Sequence, residues 1–568
     1  MSDRTNGNVD EVLRRGLAPR AVAVYGASSR RLASQAARIA RRILENGYAD
    51  RTVLVNPNPQ EVHGVATVAR AQDSPLAGEL DFAVISVPRH SVIDAVDDCA
   101  AAGIRLAVVT SARFAEADAE GAELQAALVA RAASHGIRLF GPNCMGLANF
   151  TDGLWAADPK SPPRAGNVSI LSQSGLLSMR IMDYIVECGQ GIDIWVTMGN
   201  SADLDPPTMV EHLATRPVTR VVVLYLEAVP DPERLRGAIR TARAAGKEVV
   251  LLKSGRTERG SRTAATHTGA LASPDVFVDV LAEETGCIRV DTVREAAQVA
   301  SILATIGRPS GGFAVAGGSG GDCVLAADEC TTHGVPLATL RPETIERMLA
   351  VVPESATTNP IDVSPFTWDG SGRQNDMAAA IASDPGVGCL VLLDGWGWEQ
   401  VEGADGVRRL ELGPLVGADG KLIVPLINDS RMPVELRELL GAAGVVTTAD
   451  AETIWRSLAH IARAAGIPSD VSEAVDEEPV GHDAAPRRLP ELAAFERLRG
   501  AGVPMVETRV VESTDELLAA CSGFGYPVVL KGIVPGVIHK ADRQLVHVDV
   551  WGDDEATRIW TQLSALAT

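Results

Sequence analysis

Features that would mark several protein classes are missing from this sequence. None of its eight cysteines forms a C-x-x-C pair, so neither a zinc site nor a disulfide framework is indicated, and a reducing compartment is expected. No uninterrupted run of about 18 apolar residues occurs, so the sequence offers no candidate membrane span. The amino-terminal stretch lacks the apolar core of a signal peptide. We therefore expect a cytoplasmic protein with no membrane partner.

An excess of positive charge is also missing. The chain carries 52 Lys and Arg residues against 73 Asp and Glu residues, a formal net charge of −21. This balance argues against a nucleic acid as the main partner and favours a small molecule. Hydrophobic residues make up 46% of the chain, so packed cores are available. At 568 residues, about three or four domains are expected.

Short apolar runs alternate with segments of helical period along most of the chain. Between Ala21 and Phe150 the runs are AVAVYG, TVLVNP, FAVISVP, LAVVTS and IRLFGPN. A second set consists of VSILSQSG, IDIWVTMGN, RVVVLYLE and EVVLLKSG, and a third of GFAVAGGSGG, CLVLLDG and KLIVPLIN. Apolar strands alternating with helices are typical of parallel sheets with crossover helices, so the sequence predicts an α/β protein whose first unit is Rossmann-like.

The predicted domain boundaries follow shifts in composition. We predict a first domain over residues 10–150, a second over 151–306 and a third over 307–467. Residues 468–488 are acidic, contain proline and lack periodicity, which predicts a linker. A small unit over 489–568 completes the chain.

Two Ser/Gly turns form a weak internal repeat, because each follows an apolar strand and opens a helix. The first turn contains Ser172, Gln173, Ser174 and Gly175, and the second contains Gly317, Gly318, Ser319, Gly320 and Gly321. Backbone N–H groups and the positive end of a helix dipole make such a turn a site for phosphate. An ordinary tight turn that needs glycine explains either one equally well. Two such turns facing one histidine would indicate a shared anion site.

His267 lies in the segment TAATHTGALAS, where almost no neighbour is larger than threonine. The preceding TERGSRTAA is predicted to be a loop, which makes the histidine accessible. A neutral imidazole accepts a phosphoryl group on nitrogen, and the resulting dianion needs space and helix N-termini. A surface histidine or a hydrogen-bonded core histidine is the ordinary alternative. The small neighbours favour a phosphoryl carrier.

The sequence resembles the NDP-forming acyl-CoA synthetases, also called ADP-forming acetyl-CoA synthetases, which are relatives of succinyl-CoA synthetase. The motifs VAVYGAS, VNPN, VISVP, GPNCMGL, SQSGLLS, LYLE, LKSGRTERG, THTGALA, TNPIDV and GYPVVLK with HKAD occur in the family's order. The resemblance implies a Rossmann-like CoA-binding domain, two flavodoxin-like parallel-sheet domains and a partial α+β ATP-grasp lobe. It also implies that acyl-CoA, phosphate and ADP are interconverted with a carboxylic acid, CoA and ATP through acyl phosphate and a phosphohistidine.

The resemblance assigns two catalytic residues. His267 matches the family's phosphohistidine, and Glu227 matches the glutamate that holds the other imidazole nitrogen. A carboxylate that accepts from one ring N–H leaves the other nitrogen nucleophilic. Without the family match, Glu227 would be interpreted as a solvated residue at a strand end.

The resemblance places the CoA pocket at strand ends of the first domain. The implied lining residues are Gly26, Ala27, Ser28, Ser29, Asn56, Pro57, Ser86, Val87, Pro88 and the Gly141-Pro142-Asn143 turn. The first turn can hold a CoA phosphate, with Arg30 or Arg31 adding charge. A dehydrogenase is disfavoured, because G-x-G-x-x-G is absent and the second strand ends in Asn56 rather than an acidic residue. Arg113 stands where the family usually has glycine, a departure from the family's pattern near the thiol end.

The carboxyl-terminal unit resembles the first lobe of an ATP-grasp domain. Lys531 would meet nucleotide phosphates, with His539 and Lys540 nearby, and ATP or ADP with Mg²⁺ are the implied cofactors, although no metal ligand is assigned. Gln544 and Leu545 replace flexible glycines of the family. The sequence reaches Thr568 in an expected helix, without the second lobe that should supply Mg²⁺-binding carboxylates. We expect a truncated chain, a decayed nucleotide half, or a nucleotide half on another polypeptide.

Two functions are therefore considered. The first is an acid–thiol ligase that acts on a small carboxylic acid, and the intact THTGALA motif and Glu227 favour it. The second is a catalytically incomplete CoA- or acyl-CoA-binding protein or subunit that needs a separate ATP-grasp partner. The missing lobe favours the second. We also expect a homo-oligomer.

Overall fold

A computed structural model describes most of the chain. The described residues are 3–159, 163–268, 275–363, 373–393, 423–426, 446, 448, 451–467, 491–501, 503, 506–533 and 544–566. The chain divides into two compact units, Met1–Ala474 and Val475–Thr568. The described part of the first unit contains three sheets, and that of the second contains a two-stranded sheet.

The first sheet is the predicted Rossmann-like sheet. Its strands are β1 (Ala21–Tyr25), β2 (Thr52–Val55), β3 (Glu61–Val62), β4 (Val65–Val68), β5 (Leu80–Ile85), β6 (Leu106–Val109) and β7 (Arg138–Phe140). They lie in the order β3-β4-β2-β1-β5-β6-β7, parallel except for the β3–β4 pair. Its helices are α1 (Asp3–Leu17), α2 (Gln35–Ile43), α3 (Val92–Ala101) and α4 (Ala119–Ser134). The first two cover one face and the last two the other, so the central strands are buried on both sides and form continuous apolar runs.

The second sheet has more strands than the four apolar runs of the sequence predict. Its strands are β8 (Leu147–Asn149), β9 (Leu154–Ala156), β10 (Ala165–Ser172), β11 (Ile192–Thr197), β12 (Val221–Leu226), β13 (Glu248–Lys253) and β14 (Ile288–Val290). They lie in the order β14-β13-β12-β10-β11-β8-β9, with β8 and β9 antiparallel at one edge. Its helices are α5 (Gly175–Glu187), α6 (Pro206–Thr215), α7 (Pro232–Ala244), α8 (Glu258–Thr268), α9 (Val276–Thr285) and α10 (Val293–Ile306). One hydrophobic cluster joins this sheet to the first.

The third sheet is parallel and follows the same plan. Its strands are β15 (Gly312–Gly317), β16 (Ile361–Asp362), β17 (Val387–Leu393) and β18 (Ile423–Leu426), in the order β16-β15-β17-β18. Its helices are α11 (Gly320–His333), α12 (Pro342–Val351), α13 (Arg373–Ala382) and α14 (Ala451–Ala465). A second large hydrophobic cluster joins it to the second sheet. The parallel α/β fold class is thereby confirmed.

The second unit is small and contains α15 (Glu491–Gly500), α16 (Thr514–Phe524), α17 (Asp553–Leu566) and the antiparallel strands β19 (Val528–Lys531) and β20 (Val546–Val550). Leu545, which replaces a family glycine, is 3% exposed and packs with Leu517 and Ile559 in the core of this unit. Gln544, the other replacement, has a φ of 55°, a conformation that glycine adopts with less strain. Leu545 is therefore explained by core packing, whereas nothing in the structure explains Gln544.

All eight cysteines are buried free thiols. Burial raises the pKa of Cys99 to about 12, so this thiol stays protonated near neutral pH. Among the described helices, none is long and apolar enough to cross a bilayer.

One local prediction was wrong. The segment before His267 was predicted to be a loop, but α8 spans Glu258–Thr268. Two local interactions stabilise its first turn, although the composition of the segment suggested a loop. The backbone N–H of Gly260 donates to Thr257 Oγ1 at 3.1 Å, and Arg262 pairs with Glu258 at 3.2 Å, one helical turn apart.

Candidate active site

The predicted CoA residues of the first sheet lie at its carboxyl edge. The chain leaves β1 towards β2 on one side and continues to β5 on the other, so the ends of β1 and β5 form the topological switch point where open α/β sheets usually bind ligands. Gly26 follows β1 with a φ of 93°, and a Cβ there would collide with the carbonyl oxygen of Ser86 after β5. Glycine therefore lets the Gly26–Ser29 and Ser86–Pro88 turns approach closely.

Hydrogen bonds around this switch point already engage several of the N–H and O–H groups that were predicted to bind CoA. Gln60 Oε1 accepts from the backbone N–H of Ser29 at 2.8 Å and from its hydroxyl at 2.9 Å. Ser28 Oγ accepts from the N–H of Arg30 at 3.3 Å, and Asn56 Nδ2 donates to the carbonyl of Ala27 at 2.9 Å. A phosphate bound at Ser29 would therefore have to replace Gln60. Sequence reasoning missed this glutamine, because only the fold brings it to the turn.

Asn143 connects the first sheet to the second. The Gly141–Asn143 turn follows β7, and its carbonyls at Pro142 and Gly141 accept from the N–H groups of Asn200 and Ala202, both at 3.0 Å. Asn143 Nδ2 also donates to Asn200 Oδ1 at 3.2 Å. The end of the predicted CoA pocket is thus joined to the loop that follows β11.

Arg113 lies beside the same junction. Its φ of 73° is the left-handed conformation in which the family's glycine fits more easily. Glu116 stabilises the turn, because its Oε1 accepts from the backbone N–H groups of Arg113 at 2.6 Å and Phe114 at 3.2 Å. Glu116 Oε2 also accepts from Asn200 Nδ2 at 2.6 Å. The arginine therefore keeps the backbone shape of a glycine turn and adds a cationic side chain.

The first Ser/Gly turn lies at the end of β10 and contacts the end of β12. Ser172 Oγ accepts from the N–H of Ser174 at 3.1 Å, which closes the turn. Gln173 Oε1 accepts from the backbone N–H groups of Glu227 at 2.6 Å and Ala228 at 3.1 Å. Because both bonds use the amide oxygen, the amide orientation is fixed and its NH₂ group points away from this loop.

Glu227 is only 8% exposed and directly follows β12. The hydroxyl of Tyr225 lies 3.5 Å from Glu227 Oε1, and burial together with this carboxylate raises the pKa of Tyr225 to about 12. Lys253, at the end of the neighbouring β13, is 1% exposed. Burial lowers the pKa of Lys253, and the carboxylates of Asp275 and Glu227 oppose that shift. Sequence reasoning missed Lys253, although a lysine that ends an apolar strand was a visible signal.

A cavity of about 320 Å³ brings three of the predicted residues together. Asn143 comes from the first sheet, and Gln173 and Glu227 come from the second. The other described lining residues are Ala115, Gln125, Gly199, Asn200, Ser201, Asp205, Pro206, Pro207, Leu226, Ala228, Val229, Pro230, Asp231 and Leu235. The cavity therefore joins the predicted CoA side to the predicted catalytic carboxylate.

The second Ser/Gly turn is not part of the described lining of this cavity. It does open a helix, because Ser319 caps α11 and its Oγ accepts from the N–H of Asp322 at 3.4 Å. A Cβ on Gly320 would lie 2.8 Å from Asp362 Oδ2, so a carboxylate already lies at this helix start. The convergence of the two turns on His267 stays a prediction.

The remaining predicted residues are placed as follows. His267 is the penultimate residue of α8, which follows β13, and its side chain lies outside the described part of the structure. Lys531 ends β19 in the second unit and is exposed. His539 and Lys540 also lie outside the described residues.

One acidic cluster has the composition of a metal site but is already engaged by protein groups. Carboxylate oxygens of Asp291 and Glu295 and a ring nitrogen of His460 lie within 4.8 Å of one another. Glu295 Oε1 pairs with Arg456 at 2.7 Å, Glu295 Oε2 accepts from the N–H of Asp291 at 2.8 Å, and Asp291 pairs with Arg256. These ion pairs and the helix cap account for the cluster without a cation.

Comparisons with known families define the class of protein. Residues 20–149 match a CoA binding domain, residues 165–303 match a succinyl-CoA ligase like flavodoxin domain, and residues 482–568 match an ATP-grasp domain. This combination, together with the cavity between the first two sheets, defines a CoA ligase of the succinyl-CoA synthetase type.

Individual relatives identify the family. An ADP-forming acetate–CoA ligase I of Archaeoglobus fulgidus is 29% identical over 94% of this chain and 77% of its own length. The alpha subunit of the ADP-forming acetate–CoA ligase II of Pyrococcus furiosus is 31% identical over 76% of this chain and 93% of its own. A solved acetyl-coenzyme A synthetase 1 of Korarchaeum cryptofilum, in complex with phosphate and ADP, is 28% identical, with a TM-score of 0.70 over 80% of this chain and 98% of its own. The chain belongs to the family of ADP-forming acyl-CoA synthetases.

Proposed function

We propose that the protein is an acid–thiol ligase that interconverts acyl-CoA, phosphate and ADP with a carboxylic acid, CoA and ATP, and that His267 carries the phosphoryl group. The observation that supports this most directly is the cavity where Asn143 of the CoA-binding sheet meets Gln173 and Glu227 of the second sheet. A thioester held by the first sheet would thus reach the catalytic carboxylate.

The reaction is proposed to proceed in three transfers. An oxygen of phosphate attacks the thioester carbonyl carbon, the carbon–sulfur bond breaks, and CoA leaves as the thiol with a proton from phosphate. A nitrogen of His267 then attacks phosphorus in the acyl phosphate, and the acid leaves as a carboxylate. Finally the phosphoryl group passes from that nitrogen to ADP. Each step is an easier displacement than a direct exchange between thioester and nucleotide.

Glu227 would accept from the second imidazole nitrogen and fix the tautomer of His267. The backbone N–H of Glu227 donates to Gln173 Oε1 at 2.6 Å, which ties this residue to the first Ser/Gly turn. The buried ammonium of Lys253, on the adjacent strand, would offset the negative charge that accumulates when a phosphoryl group is present. The start of α5 at Gly175 would offer further N–H donors to the phosphoryl oxygens.

The nucleotide half of the reaction is assigned to the second unit. Lys531, His539 and Lys540 would bind nucleotide phosphates, and Mg²⁺ would accompany the nucleotide, although no described residue is assigned as its ligand. The P. furiosus relative is an alpha subunit. A separate ATP-grasp partner is therefore compatible with this proposal, as is the expected homo-oligomer.

The first half of the reaction provides a test that needs no nucleotide. The full chain is incubated with an acyl-CoA and radiolabelled phosphate, and acid-labile, base-stable label on protein is measured. Wild-type protein is expected to incorporate label at His267, whereas His267→Ala is expected to incorporate none. His333→Ala, which changes a histidine at the end of α11, is the matched control and should label normally. Equal labelling of the wild-type and His267→Ala proteins would contradict the carrier role.

A further inference from the structure

The cavity lining contains both polar and apolar residues. Its polar residues include Asn143, Gln173 and Glu227, where the reacting groups are proposed to meet. Six apolar residues, which we call the apolar wall, also line it: Pro206, Pro207, Leu226, Val229, Pro230 and Leu235. From this composition we infer that the acid substrate is a monocarboxylic acid whose uncharged carbon chain is longer than that of acetate. The inference rests on the proposed function, because it takes this cavity as the place of acyl transfer.

Three prolines leave the apolar wall with fewer backbone hydrogen-bond donors. Helix α6 begins with Pro206 and Pro207, and the loop after β12 contributes Pro230. Free backbone N–H groups at a helix start usually attract polar ligands, but proline has no N–H and presents a hydrocarbon ring. A carbon chain therefore fits this wall better than a polar substituent.

The protein's own carboxylates occupy both helix starts at the cavity. Asp205 Oδ1 accepts from the backbone N–H of Thr208 at 3.1 Å and from its hydroxyl at 2.6 Å. Asp231 Oδ1 accepts from the backbone N–H of Arg234 at 3.0 Å. The Arg234 side chain pairs with Asp205. The described lining residues include the acidic Asp205, Glu227 and Asp231 but no Lys, Arg or His. A second carboxylate on the substrate would therefore meet these acidic groups, and no cation among the described lining residues would pair with it.

The size of the cavity favours an acyl group larger than acetyl. Its volume is about 320 Å³, and an acetyl group would leave most of the apolar wall without contacts.

The label-incorporation assay tests this inference with acyl-CoAs of known chemistry. Acetyl-CoA, butanoyl-CoA and succinyl-CoA are compared as donors with radiolabelled phosphate. Butanoyl-CoA is expected to exceed acetyl-CoA by about tenfold in kcat/KM, because two further methylene groups are buried. Succinyl-CoA has the same chain length as butanoyl-CoA but ends in a carboxylate, and should fall at least tenfold below it.

Two variants locate the effect in the cavity. Val229→Phe adds bulk to the apolar wall and should reduce the butanoyl-to-acetyl ratio of kcat/KM at least fivefold, whereas Val218→Phe, the same change before the opposite end of β12, should leave it unaltered. Asp231→Asn keeps an oxygen to cap α7 but removes a negative charge, and should raise the succinyl-to-butanoyl ratio about threefold. This second variant keeps the test informative if Val229→Phe does not fold.

The outcomes separate the inference from the proposed function. Absence of label with every acyl-CoA would contradict the proposed function itself. Labelling that is equal or faster with acetyl-CoA, or equal with succinyl-CoA and butanoyl-CoA, would overturn the substrate inference while leaving the ligase proposal intact. The expected order of butanoyl above acetyl, with succinyl well below butanoyl and both ratios shifted by the variants, supports the inference.

Discussion

The two Ser/Gly turns are alike in sequence but differ in their electrostatic surroundings. Both follow an apolar parallel strand and open a helix, α5 at Gly175 and α11 at Gly320. The first turn of α5 contains no acidic residue. At α11, Asp322 lies in the first turn and Asp362 lies close to Gly320.

A helix start is expected to attract an anion more strongly where the protein has placed no carboxylate in the first turn of that helix. A helix dipole offers about 0.3–1 kcal/mol at an exposed site, so one nearby carboxylate is enough to offset it. Burial, together with the charges of Asp362 and Asp322, raises the pKa of Cys323 to about 11, which agrees with a negative field at the start of α11. The first turn is therefore the better candidate for binding the phosphoryl group on His267.

The largest effect is expected from removing the imidazole of His267, the group that both turns are predicted to face. His267→Ala should abolish phosphorylation, a loss of at least about a thousandfold, because no other group in the proposed mechanism carries phosphate. CoA affinity, measured by calorimetry, should be unchanged, because the first sheet holds CoA. Label incorporation above one tenth of the wild-type rate would end the comparison, since neither turn would then serve this histidine.

The carboxylates beside the two turns allow a direct comparison. Glu227→Gln, a nearly isosteric change, should lower the initial rate of phosphorylation about 10- to 100-fold, because the imidazole loses the charge that fixes its tautomer. Asp362→Asn makes the same change beside the second turn and should leave the rate within about threefold of wild type, or raise it. Equal losses in the two variants would show that both carboxylates are catalytic.

Charges placed at the two N-caps should have unequal effects. Ser174→Asp and Ser319→Asp both introduce a residue that caps helices well, so folding should be preserved. Ser174→Asp should slow phosphorylation about tenfold, because the first turn of α5 carries no acidic residue of its own. Ser319→Asp should slow it by about twofold or less, because Asp322 and Asp362 already lie near. The reverse order of rates would assign the phosphoryl group to the second turn.

The smallest expected effect concerns stability at the second turn. Gly320→Asp places a side chain 2.8 Å from Asp362 Oδ2 and should lower the free energy of unfolding by about 1–2 kcal/mol. In an Asp362→Asn background the loss should fall to about half, because the two carboxylates no longer repel each other. Urea denaturation of the four proteins measures this coupling. Gly320→Asp should also slow phosphorylation more than it weakens CoA binding, whereas unchanged phosphorylation would separate this turn from the reaction.

The sequence predicted the strands more successfully than the segments around the site. The apolar runs that became β1, β10 and β15 were identified because a strand buried on both faces must be apolar throughout. Helix α8 was missed because Gly260, Ser261 and the threonines suggested a loop, while a Thr257 cap and one ion pair were sufficient for a helix. Short-range contacts of this kind are easily outweighed in a composition-based prediction.

The sequence alone determined the α/β class and the family, and it predicted His267, Glu227 and the two turns as site residues, because these depend on residue order and local chemistry. Only the tertiary structure decided which of them share a cavity. Gln173 and Glu227 meet because the parallel strands β10 and β12 bring their carboxyl ends to one edge, and the packing of the first sheet against the second adds Asn143. The engagement of Ser29 by Gln60 and the approach of Asp362 to Gly320 were likewise set by packing, since each joins residues more than thirty positions apart.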